Sequence, residues 1–523
     1  MKRILSTLGP TFLSGILLFL AFPAMHLDFL AWFALVPLLL QSKHRTPGLT
    51  AAHFFVVGWI FHTLALQWLA TNIFWAGGWA LIGYQLMCLA LSVYWALAGF
   101  IWKWITERNA RIGTVIPLVL IWGTMETLQS ILFTGFGWSA IAHSQTTNPM
   151  LLQWASLGGF VLIGMLVIAV NALIVELFVQ AAKRLQTSAI IVAILAVVHG
   201  LGYAMLGTPT FDESPLRVGI VQPSTPLQMK WDQQYKVPLM EDAALKSRLL
   251  AQTAEVDLFV WPEAQVMSDI TSPAIASTLS SLVNDTQADL FTGAQRTDGI
   301  RHFNSSYFIQ PNGNFNTFYD KMHLAPYGEY VPFSEQIPFL GRIVPSMSDQ
   351  TPGDTHKVFE SHDRTLGPLI CFEVLFSPMA YALRQDGADV LIVITNLGWF
   401  GHSNAATQEL AIAKLRAVET RLPVIHASNS GISGVIDAYG NLTMLNRHID
   451  HNGIMYNVRD DLTPSETINQ RLVGAIAVPQ PAKHPLPQAP HYFPWLVCAA
   501  FLIMIGIALF GKSQAPDNAT KGS

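Results

Sequence analysis

Long runs of apolar residues determine the solvent in which much of this chain folds. A helix that crosses a bilayer needs about 20 predominantly apolar residues, and such stretches occur at about 6–22, 28–41, 51–70, 79–102, 114–133, 157–180, 187–206 and 491–511. Charged residues make up only 12% of the chain, against about 25% in ordinary soluble proteins. We therefore expect an eight-helix transmembrane bundle. The second stretch is short, and the Phe22-Pro23 break before it could equally mark a broken pair of helices.

Lysines and arginines are distributed unevenly between the predicted loops. They favour short cytoplasmic loops, and the loops near 23–27, 71–78 and 134–156 contain none of them. With the N-terminus inside, seven crossings leave residue 207 outside. We therefore expect both termini in the cytoplasm and the intervening soluble domain in the periplasm or its equivalent. A cleaved signal peptide is the alternative for the first span.

The expected domains follow from these spans. They are a bundle of about seven helices over 1–206, a soluble domain over 207–490, a final transmembrane helix over 491–511 and a cytoplasmic tail over 512–523. Within the soluble domain, short β-branched runs alternate with helical stretches, which is typical of an α/β fold with a buried sheet. A net charge of −4 gives no sign of a nucleic-acid partner.

One cysteine, Cys371, lies outside the predicted spans. A lone thiol in an oxidising compartment oxidises or cross-links, so its presence there needs a reason. Glu263 and Lys321 follow predicted strands and Cys371 ends one, and the carboxyl ends of strands are where α/β chemistry gathers. A base and an ammonium group would activate the thiol as a nucleophile. Taken singly, each residue has a structural alternative: a buried cysteine, a capping glutamate and a surface lysine.

The sequence around these three residues carries a family resemblance. The segments are Trp261-Pro262-Glu263, Tyr319-Asp320-Lys321-Met322-His323-Leu324, Gly328-Glu329-Tyr330-Val331-Pro332 and Leu369-Ile370-Cys371-Phe372-Glu373. In this order they resemble the nitrilase superfamily, whose αββα sandwich enzymes use a Glu-Lys-Cys triad. With spans on both sides, the chain is similar to the apolipoprotein N-acyltransferases of the bacterial inner membrane. The resemblance implies that Glu263 is the general base, Lys321 the transition-state stabiliser and Cys371 the nucleophile.

The resemblance also implies roles for neighbouring residues. Glu329 matches a second active-site glutamate that holds the lysine or assists proton transfer. Phe372 and Glu373 match positions beside the nucleophile, where the family commonly has Tyr before the Glu. We expect Asn304 to be structural first and His323 to pack or hydrogen-bond rather than bind a metal, because no second ligand stands at metal spacing.

Two tryptophans bear on the substrate. Trp231 and Trp399 match substrate-contacting positions of the family, with plain packing as the alternative. Leu397-Gly398 replaces the Asp-Ala of the family's loop, which removes a carboxylate near the site. The segment from Phe333 to Pro345 is either a lid that dips into the membrane or a packed surface loop.

The implied reaction is a two-step acyl transfer without a cofactor or metal. Cys371 takes a fatty acyl chain from a membrane phospholipid, expected to be phosphatidylethanolamine. The resulting thioester passes the chain to the α-amino group of diacylglyceryl-cysteine in an apolipoprotein, by ping-pong kinetics and as the last step of lipoprotein maturation. The expected state is a monomer. The rivals are a membrane-tethered nitrilase or amidase, in which water resolves the acyl-enzyme, and a transporter or receptor whose outer domain merely binds a ligand.

Overall fold

A helical bundle and a two-sheet α/β sandwich form the part of the chain that the structure describes. The computed structural model describes residues 2–72, 77–311, 313, 315–331, 349–401, 403–445, 447–449, 455–457, 466 and 470–510. The expected lid from Phe333 to Pro345 and the tail 512–523 lie outside these residues.

Apolar helices build the bundle. Those before the sandwich are α1 (Lys2–Leu20), α2 (Val36–Ser42), α3 (Pro47–Ala65), α4 (Trp79–Arg108), α5 (Val115–Ile131), α6 (Pro149–Leu152), α7 (Ala155–Val179) and α8 (Arg184–Met205). Within the described residues, 6 helices are long and apolar enough to cross a membrane, and they coincide with the predicted spans from 51–70 onward. The two earlier predicted spans correspond to the shorter apolar helices Leu8–Leu20 and Asp28–Ser42. A multi-pass membrane chain is confirmed, and eight crossings stay a prediction.

Short strands form the two sheets of the sandwich. They are β1 (Arg217–Gln222), β2 (Leu258–Val260), β3 (Asp289–Asp298), β4 (Arg301–Ile309), β5 (Phe318–Asp320), β6 (Phe359–Ser361), β7 (Arg364–Ile370), β8 (Val390–Thr395), β9 (Val424–Ser428), β10 (Gly434–Ile436), β11 (Leu442–Met444), β12 (Arg447–Ile449), β13 (Met455–Asn457) and β14 (Leu472–Ala477). The first sheet has the order β13-β12-β14-β1-β2-β3-β4-β5 and the second β11-β10-β9-β8-β7-β6. The central strands β1, β2 and β3, and likewise β7, β8 and β9, run parallel. Burial on both faces explains their near-continuous apolar sequences.

Helices cover the outer face of each sheet. After the short helix α9 (Leu227–Trp231), the covering helices are α10 (Lys236–Ala251), α11 (Pro273–Thr286), α12 (Ser377–Gln385) and α13 (Ala405–Thr420), and α14 (Ala489–Phe510) then returns to the bundle. Apolar side chains from both sheets fill the space between them, including Ile220, Val260, Ile370 and Ile394. Helices α10 and α11 pack on the first sheet, and α12 and α13 pack on the second. The expected α/β sandwich is confirmed.

The bundle meets the sandwich at helix α13. The indole N–H groups of Trp68 and Trp138, both from the bundle, donate to Gln408 Oε1 over 2.9 and 2.7 Å. The Gln408 amide donates in return to the Ala65 carbonyl over 2.9 Å. The helical layer of the second sheet therefore lies directly against the bundle, and the turn that carries Cys371 belongs to that sheet.

Candidate active site

Glu263, Lys321 and Glu329 converge in one buried cluster. The Lys321 ammonium lies 2.8 Å from Glu329 Oε2 and 3.6 Å from Glu263 Oε1. The side chains of Lys321, Glu329 and Glu263 are 1%, 14% and 8% exposed, respectively. Glu263 follows β2 and Lys321 follows β5, so distant segments of the first sheet bring opposite charges together at strand ends. Charges held out of water interact strongly.

Cys371 faces this cluster from the second sheet. It stands directly after β7, begins the 3-10 helix Cys371–Leu375 and has a left-handed φ of 53°. A non-glycine residue in that region stores about 1–3 kcal/mol of strain and is common at active sites. The charges of Glu263 and Lys321 both act on its thiol. The three predicted catalytic residues therefore share one site, with the nucleophile on a sharp turn.

Asn304 joins the two glutamates around the lysine. Its amide nitrogen, from β4, donates to Glu263 Oε1 over 2.7 Å and to Glu329 Oε1 over 2.8 Å. Its backbone carbonyl accepts the Lys321 backbone N–H over 2.8 Å. The sequence indicated only a structural role for Asn304, whereas in the fold it orients both carboxylates.

Glu373 ties the lysine loop to the cysteine turn. Its carboxylate accepts the backbone N–H groups of Ile370 and Met322, each over 2.7 Å, and that of His323 over 3.1 Å. The Tyr319 hydroxyl also donates to it over 2.7 Å. Glu373 is fully buried. It therefore holds two catalytic segments in register across the sheets, which suits a positioning role beside the nucleophile.

Burial and charge set the protonation of the site. Burial alone would lower the pKa of Lys321, but Glu329 and Glu263 outweigh it and hold the pKa above its usual value. Burial and the Glu263 charge raise the pKa of the Cys371 thiol well above its usual value. Lys321 is thus an ammonium at neutral pH and Cys371 a resting thiol. A nucleophilic role for Cys371 would require a base near the thiol, and Glu263 is the residue predicted for it.

The aromatic residues expected at the substrate form two separate ring contacts. Trp231 is 42% exposed, and its ring centre lies 5.8 Å from that of Trp399. Phe372 is buried, and its ring lies 6.5 Å from Phe136 on the loop that follows α5 of the bundle. Phe372 therefore links the turn of Cys371 to the edge of the bundle, and Trp231 and Trp399 form an aromatic pair on the sandwich.

Two further observations concern expected details of the site. His323 stacks on Phe376 with ring centres 3.6 Å apart, so the expected packing role is confirmed. Among the described residues, no group of three or more His, Cys, Asp or Glu could hold a metal. Leu397, which replaces the family's aspartate, is buried in the core beside α13.

Two site residues escaped the sequence analysis. The Thr395 hydroxyl, at the end of β8, donates to Glu409 Oε1 over 3.0 Å, and Thr395 stands beside Cys371 because Ile394 pairs with Ile370. Glu409 is fully buried within α13. The signal available was an acid directly before the apolar run from Leu410 to Ala413, but a charge on a helix more often marks a solvated face.

Two family models match the chain in succession. Residues 14–173 match "Apolipoprotein N-acyltransferase N-terminal domain" and residues 217–455 match "Carbon-nitrogen hydrolase". An apolipoprotein N-acyltransferase of Geobacter metallireducens is 29% identical over 82% of this chain and 85% of its own length. One of Agrobacterium fabrum is 33% identical over 63% of this chain and 64% of its own length. Among solved structures, Saccharomyces cerevisiae Nit3, of the nitrilase superfamily, is 16% identical, with a TM-score of 0.37 over 55% of this chain and 97% of that one.

The sandwich and the bundle together define the class. The chain is a multi-pass membrane protein that carries a nitrilase-type α/β sandwich. Over most of its length it is similar to apolipoprotein N-acyltransferases.

Proposed function

We propose that this chain transfers a fatty acyl chain from a membrane phospholipid to the N-terminal α-amino group of diacylglyceryl-cysteine in apolipoproteins. The single observation that carries the proposal is the convergence of Glu263, Lys321 and Cys371 beside the bundle. Phe372, next to the nucleophile, faces Phe136 of the bundle at 6.5 Å. Acyl chains can then remain in hydrocarbon while their ester carbonyls reach the thiol. The names of the relatives support the same activity.

The first half-reaction forms a thioester. Glu263 removes the Cys371 proton as the sulfur attacks the ester carbonyl, and the Lys321 ammonium stabilises the oxyanion. When the carbon–oxygen bond breaks, the proton on Glu263 passes to the leaving alkoxide. The products are a lysophospholipid and an acyl-enzyme. Glu329 and Asn304 hold the lysine and the base in place throughout.

The second half-reaction consumes the thioester. The free α-amino group of the diacylated cysteine attacks the thioester carbonyl and loses a proton to Glu263. Collapse of the intermediate breaks the carbon–sulfur bond and returns that proton to the sulfur. The order of events is ping-pong, because the first product leaves before the amine reacts. Water in place of the amine would make the chain a hydrolase, which is the alternative activity.

The proposed setting is the inner membrane of a bacterium. The distribution of lysines and arginines favours a periplasmic catalytic domain with both termini in the cytoplasm. Phosphatidylethanolamine is the proposed acyl donor, and the proposed state is a monomer. The proposed domain boundaries are 1–206, 207–490, 491–511 and 512–523.

Mass spectrometry of the purified full-length protein tests the proposal. With phospholipid alone, the mass of the peptide that contains Cys371 should increase by one acyl chain. When diacylated lipopeptide is then added, the acyl chain should move from Cys371 to the lipopeptide, which becomes triacylated. Cys371→Ala should form neither the acyl-enzyme nor the triacylated lipopeptide, while the protein stays folded in detergent. Lipopeptide acylation by Cys371→Ala would refute the nucleophile. Hydrolysis of a small amide without acyl gain on lipopeptide would favour the hydrolase.

A further inference from the structure

A buried carboxylic acid, Glu409, lies close enough to the proposed nucleophile to act on its thiol. Thr395 is completely buried at the end of β8, and the preceding residue, Ile394, pairs with Ile370, which precedes Cys371, so the two side chains are neighbours and Thr395 acts on the Cys371 thiol. The Thr395 hydroxyl lies 3.0 Å from Glu409 Oε1, to which it donates when that carboxyl is ionised. Glu409 is completely buried as well. A row of buried polar groups thus leads from the thiol toward α13, outside the second sheet.

The second oxygen of Glu409 faces a neutral histidine. Glu409 Oε2 lies 3.7 Å from His426 Nε2, and neither atom has a hydrogen-bond partner among the described residues. His426 Nδ1 lies 2.7 Å from the Ile432 carbonyl, which fixes the ring proton on Nδ1. Burial lowers the pKa of His426 to about 4. Nε2 therefore turns a lone pair, not a proton, toward Glu409.

These surroundings favour the protonated form of Glu409. An ionised carboxylate without water and with a single hydrogen bond is costly to bury. The charged groups that act on it are Glu263, which repels the ionised form, and Lys321, which attracts it. Burial raises the pKa of the Glu409 carboxyl to about 8. At neutral pH the group is an acid and carries a proton to donate.

We propose that Glu409 is a positioning residue that acts as a neutral hydrogen-bond donor. The protonated carboxyl reverses its hydrogen bond with Thr395: the acid proton points at Thr395 Oγ1, and the Thr395 hydroxyl proton is then free to point at the Cys371 sulfur and stabilise the thiolate. The thiol proton itself goes to Glu263, so no proton leaves Glu409 during the reaction. The proposal rests on the function proposed above, in which Cys371 is the nucleophile.

Substitutions of Glu409 distinguish a hydrogen-bond donor from a base, because the two roles predict different reactivity of the Cys371 thiol. The informative substitution is Glu409→Gln, whose amide donates to Thr395 but cannot accept a proton. Glu409→Ala removes the donor. Ionisation of Glu409 above about pH 8 would place a negative charge that raises the pKa of the Cys371 thiol. The Glu409→Gln variant lacks that charge.

Alkylation of Cys371 by iodoacetamide tests the proposal on the full-length protein. Peptide-resolved mass spectrometry follows the rate from about pH 6 to pH 10, with thermal unfolding of each variant as the check on folding. We expect Glu409→Ala and Thr395→Val to react at least about tenfold more slowly than wild type, because the thiolate loses its donor. Glu409→Gln should exceed Glu409→Ala at every pH and overtake wild type above about pH 8.

Three outcomes would overturn the proposal. Glu409→Gln could react as slowly as Glu409→Ala, which would make the carboxylate a base. Glu409→Gln and Glu409→Ala could both follow the wild-type dependence of alkylation rate on pH. Alternatively, Glu409→Gln could fail to react faster than wild type above about pH 8. Failure of the proposed function is distinguishable, because wild type would then fail to acylate lipopeptide, or Cys371→Ala would still acylate it, whatever the alkylation profiles show.

Discussion

At the scale of single residues, the site depends on an amide placed between two acids. Asn304 donates to Glu263 over 2.7 Å and to Glu329 over 2.8 Å. Both carboxylates also face the Lys321 ammonium. An amide nitrogen supplies two donors without adding charge. It therefore holds two like charges around one cation, which no carboxylate at this position could do.

Asn304→Asp tests that role. The substitution keeps the shape and places a third carboxyl against two others, so we expect acyl transfer at neutral pH to fall about 100-fold or more. Activity should recover partly as pH falls, because the introduced carboxyl takes up a proton and can donate again. The measurement is lipopeptide acylation as a function of pH. Asn284→Asp, on the exposed side of α11, is the control, and a rate of Asn304→Asp within about threefold of wild type would contradict the role.

Sequence indicated the triad but not the residues behind it. Glu263, Lys321 and Cys371 each stand at the end of a strand within a short motif of the family. The order of these motifs along the chain therefore identifies the three residues. Glu409 lies on α13, which is buried on one side by the second sheet and on the other by the bundle. A helix buried all round has no amphipathic pattern that separates a solvated acid from a buried one.

At the scale of elements, β3 determines where the proposed base can stand. A Cβ atom on Gly293 would lie 2.6 Å from the Ala264 nitrogen and 2.7 Å from the Glu263 Cα. Ala264 itself has a left-handed φ of 50°. The chain after β2 thus turns sharply against the bare backbone of β3, and only glycine leaves room for it.

Gly293→Ala should displace the proposed base. The new methyl group meets backbone rather than a flexible side chain, so the Glu263 segment must move, and a shift of about 1 Å can cost about 100-fold in rate. We expect a large loss of lipopeptide acylation with the protein still folded in detergent. Gly83→Ala in α4, where a Cβ atom meets nothing within 4 Å, is the matched control. Near-normal activity of Gly293→Ala would show that the segment adapts.

The tie between the two sheets can be tested at Glu373. Its carboxylate accepts hydrogen bonds from Tyr319, Met322, His323 and Ile370, and Glu373→Gln replaces one oxygen by a donor that faces them. We expect the free energy of unfolding to fall by about 1–3 kcal/mol, because at least one buried donor loses its partner. Thermal unfolding compared with Glu360→Gln, an exposed position on β6, is the measurement. Equal unfolding temperatures for Glu373→Gln and Glu360→Gln would argue against a stabilising role of Glu373 between the two sheets.

At the scale of the whole molecule, α13 joins the sandwich to the bundle through polar contacts. Gln408 accepts two indole N–H groups from the bundle and donates to a bundle carbonyl. Farther along the helix, the Glu419 carboxylate accepts the Phe160 backbone N–H over 3.1 Å. Directional bonds at a buried junction fix orientation, whereas apolar contacts alone allow sliding.

Gln408→Met should loosen this junction while sparing the thiol. The substitution keeps the volume but leaves two buried indole N–H groups unpaired, at a cost of about 1–3 kcal/mol each. We expect a lower unfolding temperature and slower acylation from bilayer phospholipid, with Cys371 alkylation little changed. Gln252→Met, exposed at the end of α10, is the control. Equal loss of alkylation and acylation would place the defect in the site instead.

The sequence predicted the helices and sheets better than the way in which the sandwich packs on the bundle. Six long apolar helices and both layers of the sandwich follow from hydropathy and strand patterns, which are properties of neighbouring residues. The way α13 lies between sheet and bundle depends on contacts such as Trp68 with Gln408, separated by 340 positions. Nothing local in the chain specifies which polar residues meet across such a distance.

The side of the membrane that the sandwich faces is the remaining large-scale prediction. Ile300 is 94% exposed in the turn between β3 and β4, and Leu185 is 86% exposed at the start of α8, the end of that helix expected to face the cytoplasm. In a Cys371→Ser background, a cysteine introduced at position 300 should react with a membrane-impermeant maleimide in intact spheroplasts. A cysteine at position 185 should react only after permeabilisation. The reverse labelling pattern would mean that the sandwich faces the cytoplasm. The proposed nucleophile would then lie in a reducing compartment, and oxidation would no longer explain the lack of other cysteines in the sandwich.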